Sequence, residues 1–173
     1  MDYERAAVHQ NEDATMSTAV LDLRSDSGID RTESQRANRS VVQKILAVLA
    51  WVYVACLTVQ VLLAGLGVFV SPIWFQRHKA FVHGFGWLDF VLLILAFAAG
   101  SPRRIKRLVV TLVVLVGMQY STILLRGPLH TVLIGAFHPV SAVLLYATAL
   151  ALARGAWTLA WPRRATRAGA HGT

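Results

Sequence analysis

The chain has 173 residues, of which 55% are apolar and 15% charged, with a mean hydropathy of +0.53 and a formal charge of +8. A water-soluble domain carries about a quarter charged residues, so composition argues against one. Eight of the nine acidic residues fall within the first 33 positions, Asp89 is the only one after them, and eleven Lys and Arg follow Lys44. Those cations sit between long apolar runs, which argues against a nucleic-acid face and for loops at an anionic membrane surface.

In chain order, residues 1–40 are rich in Ser, Thr, Asp, Glu and Arg and read as a disordered cytoplasmic tail. They lack the short apolar core of a secretory signal, and Met16 offers a second possible start. A membrane domain is expected over 41–161, and a basic tail over 162–173. Its four apolar runs cover about 41–70, 75–100, 108–125 and 129–157, each close to the ~20 residues that a spanning helix needs. Ser71-Pro72, Ser101-Pro102 and Gly127-Pro128 punctuate the joins. The lone Cys56 lies inside the first run, so it reads as a small packing residue rather than half of a disulfide.

Loop charge sets an expected orientation. Arg36, Arg39, Lys44, Arg103, Arg104, Lys106, Arg107, Arg163, Arg164 and Arg167 lie on one side, against Arg77, Lys79 and Arg126 on the other. The positive-inside rule then puts both termini in the cytoplasm of a bacterial plasma-membrane protein. Trp51, Trp74, Trp157 and Trp161 fall near span ends, where indoles prefer the interface. The fold class expected is all-α, an antiparallel four-helix transmembrane bundle with short connections.

The two halves also resemble each other. Spans one and three carry Gln60 and Gln119 deep in their runs, and spans two and four carry His83 and His138 near their outer ends. Two similar helical pairs would set span two opposite span four. At 1.5 Å per residue, His83 lies about 30 Å from Arg103, and His138 about 24–35 Å from the same side. Two imidazoles at matching depth on facing helices are what a bis-histidine b-type haem requires. Gly84, Gly86, Ser141 and Ala142 would give the macrocycle room, and Arg77, Lys79 and Arg126 could meet its propionates. Trp87 and Tyr146 would wall the pocket, with His78 and His130 as rival ligands at the outer edge.

On these residues, "FVHGFGWLDFVLLILAFAAGSPRR" with Gln60 and "AFHPVSAVLLYATALALAR" with Gln119, the chain resembles one half of the haem A synthase family over 45–155. It is still more similar to small uncharacterised bacterial four-helix membrane proteins. The resemblance implies haem b between spans two and four, serving electron transfer, haem handling or redox sensing.

Asp89 is the sharper anomaly, because a carboxylate at a helix centre costs ~2.5–3.5 kcal/mol on insertion scales. Its depth, about 21 Å from Arg103, suggests a polar clamp to Gln60, Gln119 or Tyr120, or a proton or small-solute pathway through the same groups. No phosphate-binding loop, Cys/His metal cluster, nucleophile elbow or dinucleotide fingerprint stands in the sequence, so an enzyme acting alone is not expected. The alternative to haem is a cofactor-free structural or assembly subunit, with lipid, a membrane protein or a second copy as partner.

Overall fold

A computed structural model describes the backbone of residues 2–129 and 132–162, and side chains over 34–125 and 135–162. His130, Arg163, Arg164 and Arg167 and the Arg126 side chain lie outside the described residues. The chain divides into two units, 1–39 and 40–173. The described residues form five helices and no strand: α1 (Asp2–Phe69), α2 (Trp74–Phe85), α3 (Leu88–Ala98), α4 (Arg103–Leu129) and α5 (Val132–Ala160). Four stretches are long and apolar enough to cross a bilayer: Ser34–Phe69, Trp74–Ala98, Arg103–Leu125 and Gly135–Ala160. The fold is all-α and the protein is a multi-pass membrane protein by these spans.

Several boundaries differ from the sequence expectation. Gly127-Pro128, expected to end span three, lies inside α4, which runs on to Leu129, and α5 starts at Val132. The leading residues, expected as an unstructured tail, are helical from Asp2 onward. They contain no proline and only one glycine, Gly28, so a composition too polar for a core still allows a helix. The third span begins at Arg103 rather than near residue 108. Pro102 stands just before it, and long basic side chains can lie in a first helical turn while their charged ends reach the interface. Span two, expected as one helix, is interrupted between Phe85 and Leu88.

Contacts at both ends of each helix pair establish antiparallel packing within the second unit. Tyr53 of α1 meets Phe85 of α2 edge to face at 5.8 Å, and Gln60 meets His78 nearer the turn at 70–73. The Lys106 ammonium of α4 lies 4.9 Å over the Phe97 ring of α3, while Tyr120 approaches His83. Thr122 of α4 bonds His138 of α5, and at the far end a Cβ on Gly155 would lie 2.8 Å from Ile105. Thr58 of α1 and Tyr146 of α5 share a hydrogen bond of 3.3 Å, which closes the ring. Span one therefore touches spans two and four, span three touches the same two, and spans two and four lie on a diagonal.

The core follows from stripes at helical spacing: Leu46, Ala50, Tyr53 and Leu57 of α1, Leu88, Leu92 and Ala96 of α3, Val109 and Leu112 of α4, and Leu145, Ala149 and Leu152 of α5. Large apolar side chains also cover the outside, among them Leu62, Ile94, Val114, Leu124 and Val143. In water that surface would drive aggregation; against lipid tails it costs nothing, and close van der Waals packing holds the helices together.

The end of α3 shows how local chemistry sets the turns. Gly100 adopts φ 62°, its N–H donates to Phe97 O at 3.0 Å, and Ser101 N–H donates to Ala96 O at 3.1 Å. This is the Schellman closure, in which a left-handed residue satisfies the last carbonyls before Pro102 ends the helix. Gly100→Ala should cost about 1–2 kcal/mol, read as a lowered unfolding midpoint in detergent micelles. An unchanged midpoint would mean that this turn is not held in the left-handed form.

Candidate functional site

The stretch "FVHGFGWLDF" is where span two breaks. Gly86 and Trp87 keep near-helical angles, φ −62° and −79°, and link α2 to α3 without continuing the helix. The Gly86 N–H donates to Val82 O at 2.7 Å, and the Trp87 indole N–H turns back to Gly84 O at 2.8 Å. A Cβ on Gly86 would lie 3.3 Å from the Tyr120 hydroxyl, so the glycine lets α4 approach the break.

Because α3 starts at Leu88, Asp89 falls in its first turn. Backbone donors there have no intrahelical partner, and the helix end favours a negative group. Asp89 Oδ1 accepts the Phe90 N–H at 2.9 Å. The residue is fully buried, and its Oδ2 has no hydrogen-bond partner. Asp89 and Tyr120 both lie within electrostatic range of the Tyr53 hydroxyl. The clamp partners suggested by depth are otherwise engaged. Gln60 turns to His78, Tyr120 faces His83 and Gly86, and Gln119 accepts the Thr122 hydroxyl on its backbone carbonyl. Equal depth does not give contact when the helix is interrupted between the two groups. Gln60 Oε1 and Gln119 Oε1 are likewise buried without a partner.

A second polar cluster lies nearer the 70–73 turn. Gln60 Nε2 donates to His78 O at 3.0 Å, and His78 Nδ1 is 3.1 Å from Gln60 O. A carbonyl only accepts, so Nδ1 of His78 donates. On α5, His138 Nδ1 lies 3.1 Å from Thr122 Oγ1, and that hydroxyl donates to Gln119 O at 2.8 Å. With its one proton committed, Thr122 accepts from His138 Nδ1. His138 lies within electrostatic range of His78.

Helix α5 runs unbroken through Pro139, so His138 stands inside a helix and not at its mouth. Neighbouring helices and hydroxyl side chains make an internal proline tolerable in a membrane. Here the Ser141 hydroxyl donates to His138 O at 3.0 Å. His83 is exposed on α2, its ring centroid 6.3 Å from that of Tyr120. A side chain built on neighbouring Gly84 would meet nothing within 4 Å. Arg77 and Lys79 are exposed one to two turns earlier. The structure thus brings His138 to Thr122, Gln119 and His78, and His83 to Tyr120. Among the described residues no group of three or more His, Cys, Asp or Glu converges as a metal site.

Sequence reasoning missed the Thr122 relay and the break itself. The first had no signal in one sequence, since Thr122 is one hydroxyl among the polar residues of "MQYST". The second had one: two glycines and a tryptophan within five residues before Asp89, inside an apolar run.

A model described as a family of unknown function (DUF6220) matches residues 60–123. The chain is similar to that family from Gln60 through the break to Ile123, a stretch that holds His78, His83, Asp89 and Gln119. No curated protein and no solved structure matches the chain. None of these comparisons links it to the haem A synthase family.

Proposed function

We propose that this four-helix membrane protein binds one b-type haem between spans two and four, with His138 and His83 as axial ligands. The observation that carries this reading is the 3.1 Å contact of His138 Nδ1 with Thr122 Oγ1, whose own proton goes to the Gln119 carbonyl, so the ring is held through Nδ1 and Nε2 is turned away from that contact. Metal-ligating histidines are held in this way by a partner on the second nitrogen.

The residues on span two fit the group in part. Spans two and four are the diagonal pair, the His83 ring is unencumbered, and the space beside Gly84 is open. The ring and carbonyl of His78, the rival ligand, tie α2 to Gln60 of α1. Arg77 and Lys79 are the cations for the propionates, with Arg126 as their counterpart at the end of α4. Bound haem would supply one-electron exchange, which suits electron transfer, haem handling or redox sensing. The excess of basic residues on the terminal side puts both termini in the cytoplasm of a bacterial plasma membrane.

A specific observation favours a second reading, a cofactor-free packing or assembly subunit. The pairs Gln60–His78, Thr122–His138 and Thr58–Tyr146 already satisfy one another between helices. An absorption spectrum of the detergent-purified protein from haem-replete cells separates the two. We expect a Soret band with sharp reduced α and β bands, lost in His138→Ala and His83→Ala and kept in His78→Ala. Loss in His78→Ala instead of His83→Ala would transfer the span-two ligand to His78. A colourless wild type would reject haem and leave the packing subunit.

A further inference from the structure

We propose that Asp89 is an exchangeable proton-binding site built into the break of span two, whether or not the protein carries a cofactor. The carboxyl has one oxygen in use and one free: Oδ1 accepts the Phe90 N–H at 2.9 Å, and Oδ2 has no partner. An acceptor oxygen beside an unengaged one is the arrangement of a carboxylic acid whose O–H lies on Oδ2.

Among the described residues no cation pairs with Asp89. No Lys or Arg occurs between Lys79 and Arg103 in the sequence. Asp89 lies within electrostatic range of the Tyr53 hydroxyl of α1, which is also within range of Cys56 and of Tyr120 of α4; none of the three is cationic. The buried residues that α5 brings to the core, Ser141 and Leu145 among them, do not titrate. A charge isolated in this way is costly, and a proton is the smallest species that removes it.

A metal cation is the weaker occupant. Hard cations take about six or more oxygen ligands. Three carbonyls of the break already accept, Val82 O from Gly86 N–H, Gly84 O from the Trp87 indole and Trp87 O from Val91 N–H, and among the described residues no second carboxylate, His or Cys joins Asp89 in a metal-binding group.

Two opposed effects make the proton exchangeable rather than permanent. The first turn of α3 stabilises the carboxylate, and burial stabilises the acid.

The test is modification of the full-length protein in mild detergent with dicyclohexylcarbodiimide, which attacks protonated carboxyls in apolar surroundings, followed by peptide mass spectrometry. At neutral pH the adduct should form on the peptide carrying Asp89, while the carboxylates before residue 34 stay unmodified. Labelling should fall at least tenfold as the pH is raised and return on re-acidification before the reagent is added. Asp89→Asn, which keeps an acceptor for Phe90, should elute as the wild type does and carry no adduct. If that variant does not fold, the reversible pH profile of the wild type carries the test. The proposal is overturned if Asp89 is unmodified at every pH in the folded protein yet modified after denaturation, or if labelling does not change with pH. These outcomes are independent of the haem spectrum.

Discussion

Truncating Tyr53 to alanine should lower the stability of the bundle by about 3–5 kcal/mol, as for other large buried aromatics. Tyr53 is 1% exposed, and its ring meets the edge of Phe85, which in turn lies 5.1 Å from Phe81. Phe85 is the last residue of α2, so this stack is what seats the broken span against α1. Removing the ring leaves a cavity beside the weakest point of span two, where backbone continuity cannot help to hold the walls in place. Tyr53→Phe separates packing from polarity, and its cost should not exceed about 1 kcal/mol. Equilibrium unfolding in mixed micelles reads both values. A Tyr53→Ala protein as stable as the wild type would show that α1 is not docked on the break.

Ala153→Leu should be the most damaging small-to-large change, at about 1–3 kcal/mol or more. Helix α5 presents Ala149, Ala153, Ala156 and Ala160 inward, all buried, and α4 answers with Ile105, Val109 and Leu112. Small residues on one helix let the other approach closely, and in lipid this packing replaces the hydrophobic drive available in water. Ala153 is wholly inaccessible, so three added carbons must push the helices apart. Ala147→Leu, on the exposed side of the same helix, is the control and should stay within about 0.5 kcal/mol. Equal stability of the two variants would mean that the α4–α5 contact is looser than described.

The polar residues of this chain show why a membrane protein is legible at one level and opaque at the next. Hydropathy located four spans, because the bilayer demands length, but punctuation was an uneven guide: Pro72 and Pro102 stand between helices, whereas Gly127-Pro128 lies inside α4. The second span was misjudged only in its continuity. Gly84, Gly86 and Trp87 read in the sequence as room and wall for a cofactor and not as a helix interruption, since each is ordinary in a membrane helix. Their effect comes from acting together: two glycines remove side-chain support and an indole takes a carbonyl out of line. Pro139 shows the opposite: α5 stays helical through it, and its neighbour His138 bonds Thr122 of α4.

The candidate site divides in the same way. That His83, His138, Asp89, Gln60 and Gln119 matter was readable from their cost in hydrocarbon. Which of them meet was not, since depth along a helix says nothing of azimuth once the helix is interrupted. Sequence by itself determined a four-span all-α membrane protein, because backbone satisfaction in lipid leaves one solution for such apolar runs. Only the tertiary structure decided that Asp89 opens a second helix instead of clamping a first, and that His138 gives its Nδ1 proton to Thr122. Both follow from side-chain hydrogen bonds a few ångströms long, whose partners lie in sequence as near as Phe90 or as far as α5 is from α4.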